Sequence, residues 1–361
     1  MKKTGRLIVP IICLLFAQNL LGQSAALGKF ISSYAKERNF SGTILIEKNS
    51  KIGYSKSFGL ANRQHKIPNK VETKYKVASI TKAFTAVLIL RLYEQGKIDL
   101  NKTIKTYLPD YKGEAANLVT IHQLLNHTAG MANIDRNITS AESALKNGLP
   151  HYQTPLTSDE LLAKYCSEKL VNTPGKAFDY NNADYIILGK IIERMSGKSY
   201  RQVLDENILQ PLGMRNSGML NQADVLDNLA DTYFFREDSK RLGNDLPVYI
   251  ENWYAAGAMY STARDILKFS GALFGLKLLK RETLNLMLKP GLDDYGYGVW
   301  VYETEINGQK YTVVKRPGRI MGAQGMLFHL LNKDTTIIIL SNTDAVNLDE
   351  FAAEISKRIV G

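Results

Sequence analysis

The run from Ser79 to Gln95 constrains this chain most, because it reads as one helix that is apolar almost all round. Phe84, Val87, Leu88, Ile89, Leu90 and Leu92 crowd into it, and Gly96 follows as a stop signal. A helix with so little polar face has to be enclosed by other elements. A chain of 361 residues is long enough to build that enclosure, with two lobes around one core.

The order of the other elements suggests how. Residues 26–38 read as an amphipathic helix with Leu27, Phe30, Ile31 and Tyr34 on one face. Two strands follow, Gly42 to Glu47 and Ile52 to Phe58, around a turn at 48–51. From about residue 100 to 245 helices and long loops dominate, with clearer helices at Ile121–Leu125, Ser158–Leu170, Ala183–Ser196 and Tyr200–Ile208. After a helix from Asp265 to Phe274, strands are expected at Gly296–Thr304, Lys310–Lys315, Gly325–Leu331 and Thr335–Leu340, then a helix from Leu348 to Ile359. Strands at both ends and helices between predict an α+β fold. One antiparallel sheet is assembled from both termini and flanked by helices, with a mostly helical lobe inserted. The expected division is a sheet lobe at about 25–99 and 246–361 and a helical lobe at about 100–245, together one catalytic domain over 25–361.

The first two dozen residues are set apart. Lys2, Lys3 and Arg6 precede the apolar stretch Leu7–Leu21, and the small polar residues of 22–26 follow. That pattern predicts a signal peptide over 1–24 and an exported protein, periplasmic or secreted. Retention by an uncleaved anchor is the rival reading, although Pro10 and Gln18 interrupt the stretch. Loss of that segment would leave Cys166 as the single cysteine, so no intramolecular disulfide is expected. It would also lower the net charge from +11 to +8, which suits an environment of anionic polymers. Lysines and arginines are scattered, with no basic run interleaved with aromatics, so a nucleic-acid partner is not expected.

Ser-x-x-Lys occurs three times, at Ser33, Ser79 and Ser143. Residues three apart on a helix share a side, so each lysine can reach its serine. The amine acts as a base only if desolvation or a nearby cation removes its proton. Only Lys82 sits in the apolar helix, and Ser79 opens that helix, where the dipole favours developing negative charge. An N-cap serine would read the same way by itself. Tyr180-Asn181-Asn182 is the one Tyr-x-Asn among 19 tyrosines, and it leads into a helix. The phenol could relay protons and the Asn182 amide could bind a carbonyl. Arg316-Pro317-Gly318 ends a strand: the cation could hold a carboxylate and the glycine would admit a ligand near the backbone. The histidines at 65, 122, 127, 151 and 329 show no metal-ligand spacing, so no metal or cofactor is expected. His127 reads as a structural hydrogen-bonding residue rather than a lining of the cleft.

In this order, Ser-x-x-Lys, Tyr-x-Asn and a cationic-x-Gly strand resemble the serine β-lactamases and penicillin-binding proteins. The similarity is greatest to the branch of class C β-lactamases, esterases and D-alanyl-D-alanine carboxypeptidases. Leu124–Met131, Pro174–Asn182, Pro211–Met214 and Ala255–Asp265 are similar to further blocks of that family. The resemblance implies Ser79 as an acyl-forming nucleophile, with Lys82 and Tyr180 sharing proton transfer. It implies Asn182, Arg316 and Gly318 as substrate-binding residues, with the N–H of Ser79 and of Arg319 as oxyanion hole. The substrate would be a small ester, an amide or a peptidoglycan-type peptide, with no specific protein partner. Arg316 and Pro317 depart from the usual lysine or histidine followed by threonine, serine or glycine. That departure weakens efficient β-lactamase action most and esterase action least. A non-catalytic penicillin- or peptidoglycan-binding protein of the same fold is the competing expectation.

Overall fold

The sheet is where the two ends of the chain meet. The structure, a computed structural model, describes residues 25–138 and 141–361, so the expected signal segment at 1–24 lies outside the described residues. Six strands, β1 (Gly42–Lys48), β2 (Lys51–Phe58), β3 (Trp300–Ile306), β4 (Gln309–Ile320), β5 (Ala323–Leu330) and β6 (Thr335–Ser341), form one antiparallel sheet in the order β3-β4-β5-β6-β1-β2. Early strand β1 therefore sits between β2 and the late strand β6, with Ile44 opposite Ile339. The hairpin turns follow local chemistry. Asn49 and Ser50 have φ of 48° and 59°, and Asn307 and Gly308 have 52° and 75°, the left-handed pairs that two-residue hairpins need.

Alternation along β6 explains the layering. Ile338 and Leu340 join the larger core cluster on one face, while Ile337 and Ile339 face the other. On that second face lie a helix at residues 25–37 (α1) and the C-terminal helix, joined by a 4.1 Å stack of Tyr34 on Phe351. The first face receives α2 (Thr81–Glu94), and α3 (Asn182–Ser196) and α4 (Ala263–Phe274) pack in the same core. Phe84 of α2 stacks on Phe269 of α4 with ring centroids 3.8 Å apart. The C-terminal helix, α5, spans Leu348–Val360.

The expected apolar helix is enclosed as its sequence required, with all but three of its residues from Thr81 to Glu94 buried. Gly96 closes it at φ 69°, its N–H bonded to Tyr93 and that of Lys97 to Leu92, a Schellman ending. Its start differs from expectation. Residues Ala78–Ile80 form a separate 3₁₀ turn, and the α-helix begins at Thr81. Three other boundaries move for identifiable reasons. The helix at Ser158 stops at Tyr165 rather than Leu170, because residues 169–172 pair with Gly130–Ala132 as an extended stretch. The strand expected from Gly296 begins at Trp300, because Gly298 at φ 77° packs against the Lys82 carbonyl instead of entering the sheet. The strand carrying Arg316 does not end at Pro317 but continues to Ile320. Pairing with β3 ends at Lys315, so Pro317 lies where one side of the strand is open, and a missing N–H there costs no ladder bond. No helix among the described residues is long and apolar enough to cross a membrane.

Candidate active site

Ser79 sits at the junction of the 3₁₀ turn and α2, immediately after Ala78, a non-glycine residue at φ 48°. That strained position is affordable only where surrounding contacts fix it. Strand β4 supplies such contacts. A Cβ added to Gly318 would lie 2.3 Å from the Val77 carbonyl oxygen and 3.0 Å from the Ser79 nitrogen. Only glycine lets the strand approach the turn of Ser79 this closely.

One turn on, Lys82 is fully buried. Its Nζ donates to Ser79 Oγ at 3.2 Å, to Asn182 Oδ1 at 2.6 Å and to the Ala256 carbonyl at 2.9 Å. Burial lowers its pKa to about 8, with Arg316 adding to the effect and Tyr180 opposing it. The two decoy lysines, Lys36 and Lys146, are exposed.

Tyr180 is held on the loop entering α3. Burial alone would raise its pKa, but Arg316 and then Lys82 outweigh that and lower it. Lys82 also sits over its ring, 4.7 Å from the centroid. The two groups lie close enough to titrate as a unit.

His127 acts as a template for that loop. Its carbonyl accepts the Asp179 N–H at 2.9 Å, its Nδ1 accepts the Asn181 N–H at 3.3 Å, and its ring lies 4.4 Å from that of Tyr180. Nδ1 is also 2.7 Å from Asp184 Oδ2, both side chains being buried. A nitrogen that accepts from Asn181 carries a lone pair, so the proton of this contact belongs to Asp184. The electrostatics agree: burial holds the Asp184 carboxyl well above its usual range and the His127 imidazole well below it. His127 is thus wholly enclosed rather than a lining of the cleft.

Arg316 is placed differently from the sequence expectation. It is only 1% exposed, and its guanidinium turns inward. Nε donates to the Ser79 carbonyl at 2.6 Å, Nη1 to the Tyr295 hydroxyl at 2.8 Å and Nη2 to the Tyr180 hydroxyl. Trp300 flanks it, 5.2 Å from ring centroid to guanidinium carbon. The expected role of holding a substrate carboxylate does not fit a cation so enclosed. Asn182 is likewise engaged at both ends, Oδ1 by Lys82 and Nδ2 by Asp135 Oδ2 at 2.6 Å. Asp135 in turn accepts from Tyr152 at 2.8 Å. The Arg319 side chain points to solvent and pairs with Asp344 at 3.7 Å, leaving its backbone as the part available to a site.

The structure thus brings Ser79, Lys82, Tyr180, Asn182, Arg316 and Gly318 together across some 240 residues of chain. Sequence reasoning missed Asp135, Asp184, Tyr295 and Trp300. No short motif marks them, since each acts through partners on distant elements.

Set beside known families, residues 27–360 match the family described as Beta-lactamase. The chain belongs to the Beta-lactamase family. A curated relative, the putative penicillin-binding protein PbpX of Bacillus subtilis, is 33% identical over 75% of this chain. The match covers 64% of that relative, so this chain spans under two thirds of its length. Among solved structures, a penicillin-binding protein from Bacillus halodurans superposes with TM-score 0.76 at 28% identity, covering 90% of this chain and 98% of that one. EstCE1, described as a hydrolase with promiscuous acyltransferase activity, gives TM-score 0.77 at 23% identity, covering 96% of this chain and all of that one. At that identity the likeness speaks for the β-lactamase fold alone. Cys166, buried with its thiol pKa raised well above the ordinary value by burial, takes no part in the site.

Proposed function

We propose that this member of the Beta-lactamase family is a serine hydrolase that cleaves a small ester or amide through an acyl-serine intermediate on Ser79. One observation carries the reading: Ser79 Oγ lies 3.2 Å from an enclosed Lys82 amine whose pKa falls to about 8. Such an amine holds an appreciable neutral fraction near neutrality and can accept a proton. In the proposed step, Ser79 Oγ bonds to the carbonyl carbon and its proton passes to the Lys82–Tyr180 pair. The pair returns that proton to the departing alcohol or amine as the old bond breaks. The backbone N–H of Ser79 and of Arg319 would stabilise the oxyanion. Water then attacks the acyl-enzyme by the same proton route and releases the acid.

The inward turn of Arg316 favours esters and simple amides over substrates that need a carboxylate anchor. Export is a further part of the reading and rests on the basic and apolar pattern of residues 1–24 alone.

The test incubates pure protein and a Ser79→Ala variant with a fluorophosphonate, a fluorescent penicillin and short-chain nitrophenyl esters. Ser79-dependent labelling and ester turnover are expected. Stable penicillin labelling without any turnover would instead support the binding-protein reading, and no adduct on Ser79 would sink both.

A further inference from the structure

The turn that follows strand β4 is tied to the lining of a cavity. The β4 backbone from Arg316 to Ile320 has no partner on the β3 side, so this open edge can receive an extended chain as an added strand. Four residues past Gly318, the Gly322 N–H donates to Asp245 Oδ1 at 3.0 Å. Met321 and Gly322 form the turn that closes β4 on β5, so that point lies at the end of the edge, two strand residues or about 7 Å past Gly318. Asp245 lines a cavity of about 460 Å³ that also takes in Lys76, three residues before the nucleophile.

The walls of this cavity are of two kinds. Leu226, Leu229, Leu246 and Val248 form an apolar side. The same lining holds two carboxylates, Asp231 and Asp245, that both act on one ammonium, Lys76; Lys76 donates to Thr232 at 3.1 Å, and Asp231 accepts from Asn62 at 2.5 Å. Asp224, a further acid of the lining, is paired with Arg201 at 3.4 Å. Asp245 Oδ2 is buried with no direct hydrogen-bond partner among the described residues, and such an atom carries a desolvation cost until something meets it. Burial raises the Asp245 carboxyl pKa although Thr232, Gly322 and Lys76 all pull it down. Counted by side chain, the lining sets two acids, Asp231 and Asp245, against one ammonium, Lys76, together with aliphatic residues.

We propose that this cavity is a substrate subsite, and that it selects an aliphatic arm ending in a primary ammonium. The arm extends along β4 from the carbonyl that Ser79 attacks, lies against the leucines, and donates its ammonium to Asp245 Oδ2 and Asp231. The proposal rests on the serine hydrolase reading for the position of that carbonyl.

Nitrophenyl esters of hexanoic and 6-aminohexanoic acid, and of their eight-carbon counterparts, test the preference directly. The wild type is expected to favour the amino ester at least tenfold in kcat/KM at one of the two lengths. Asp245→Asn and Asp231→Asn should each bring that ratio close to one, with circular dichroism checking that the variants fold. No preference in the wild type, or a ratio unchanged in both variants, overturns the subsite. Saturation-transfer NMR with 6-aminohexanamide against hexanamide reads binding without turnover. Transfer to the amine that weakens in Asp245→Asn sustains the subsite even if no ester is cleaved, in which case only the hydrolase reading fails. Equal or absent transfer to the two amides overturns it.

Discussion

The Nε of Arg316 donates to the backbone carbonyl of Ser79 at 2.6 Å, so the cation of the third motif is tied to the main chain of Ser79. Its other arm reaches the Tyr180 hydroxyl. A single planar fork thus sets the position of Ser79 and the acidity of the phenol beside it. Lysine has no geometry that reaches both. Arg316→Lys is expected to lower kcat/KM for a nitrophenyl ester by about one to two orders of magnitude. It should also move the Tyr180-linked limb of the pH profile upward, because part of the cationic influence is lost. A rate profile superposable on the wild type would contradict this.

Lys82 supplies a pH signature in both rate and stability. Its pKa of about 8 in the fold lies below the ordinary 10.5, so the unfolded chain binds the extra proton between those values. Stability from this group therefore rises as pH increases from about 8 to 10.5 and is lower below that window, with a span of about 3 kcal/mol. Denaturant unfolding of the wild type against Lys82→Met should show the difference growing in that direction. Acylation of Ser79 should rise along a limb with an apparent midpoint near 8, a value that belongs to the Lys82–Tyr180 pair.

The His127–Asp184 pair has a different window. Folded, it holds one proton, on Asp184. Unfolded, with ordinary values of 6.5 and 3.8, the two residues also hold one proton between those pH values, two below and none above. The stability contributed by the pair is therefore greatest from about pH 3.8 to 6.5 and declines on either side. Wild type measured against a His127→Gln/Asp184→Asn double variant should show that plateau. A difference that rises steadily with pH would contradict it. His127→Ala alone should cost about 2–4 kcal/mol, because it leaves a cavity and an unpartnered carboxyl.

Gly318→Ala places a methyl group against the Val77 carbonyl and the Ser79 nitrogen, both backbone atoms. Neither can swing aside, so the strand or the nucleophile's turn must shift. Acylation is expected to fall about a hundredfold while far-UV circular dichroism stays the same. Retained acylation would show that the strand can yield without disturbing Ser79.

The sequence was most legible where one element contains its own explanation. The apolar run around Leu88 predicted a buried helix, and Asn307-Gly308 predicted a hairpin. Which of the three Ser-x-x-Lys pairs is enclosed was legible because Lys82, unlike Lys36 and Lys146, lies within that run. The direction of Arg316 was not legible. Whether a cation faces substrate or interior depends on Tyr295 and Trp300, which lie 21 and 16 residues earlier and carry no motif. Asp135 was hidden for the same reason, since its link to Asn182 spans 47 residues. The helix at Ser158 was overextended because the residues after Tyr165 have helical character locally, and only pairing with Gly130 draws them straight.

Threading the early strand β1 between β2 and the late strand β6 has a consequence for synthesis. A growing chain acquires Ser79 and Lys82 early and Tyr180 midway, but Arg316 and Gly318 only when most of its length has been made. Until β4 to β6 have emerged, β1 has no neighbour on one side and the strained Ala78 turn has no strand against it. The surroundings of Ser79 are therefore completed last although the residue itself is encoded early. A ribosome stalled before residue 316 would carry a chain with Ser79 present and its surroundings unbuilt.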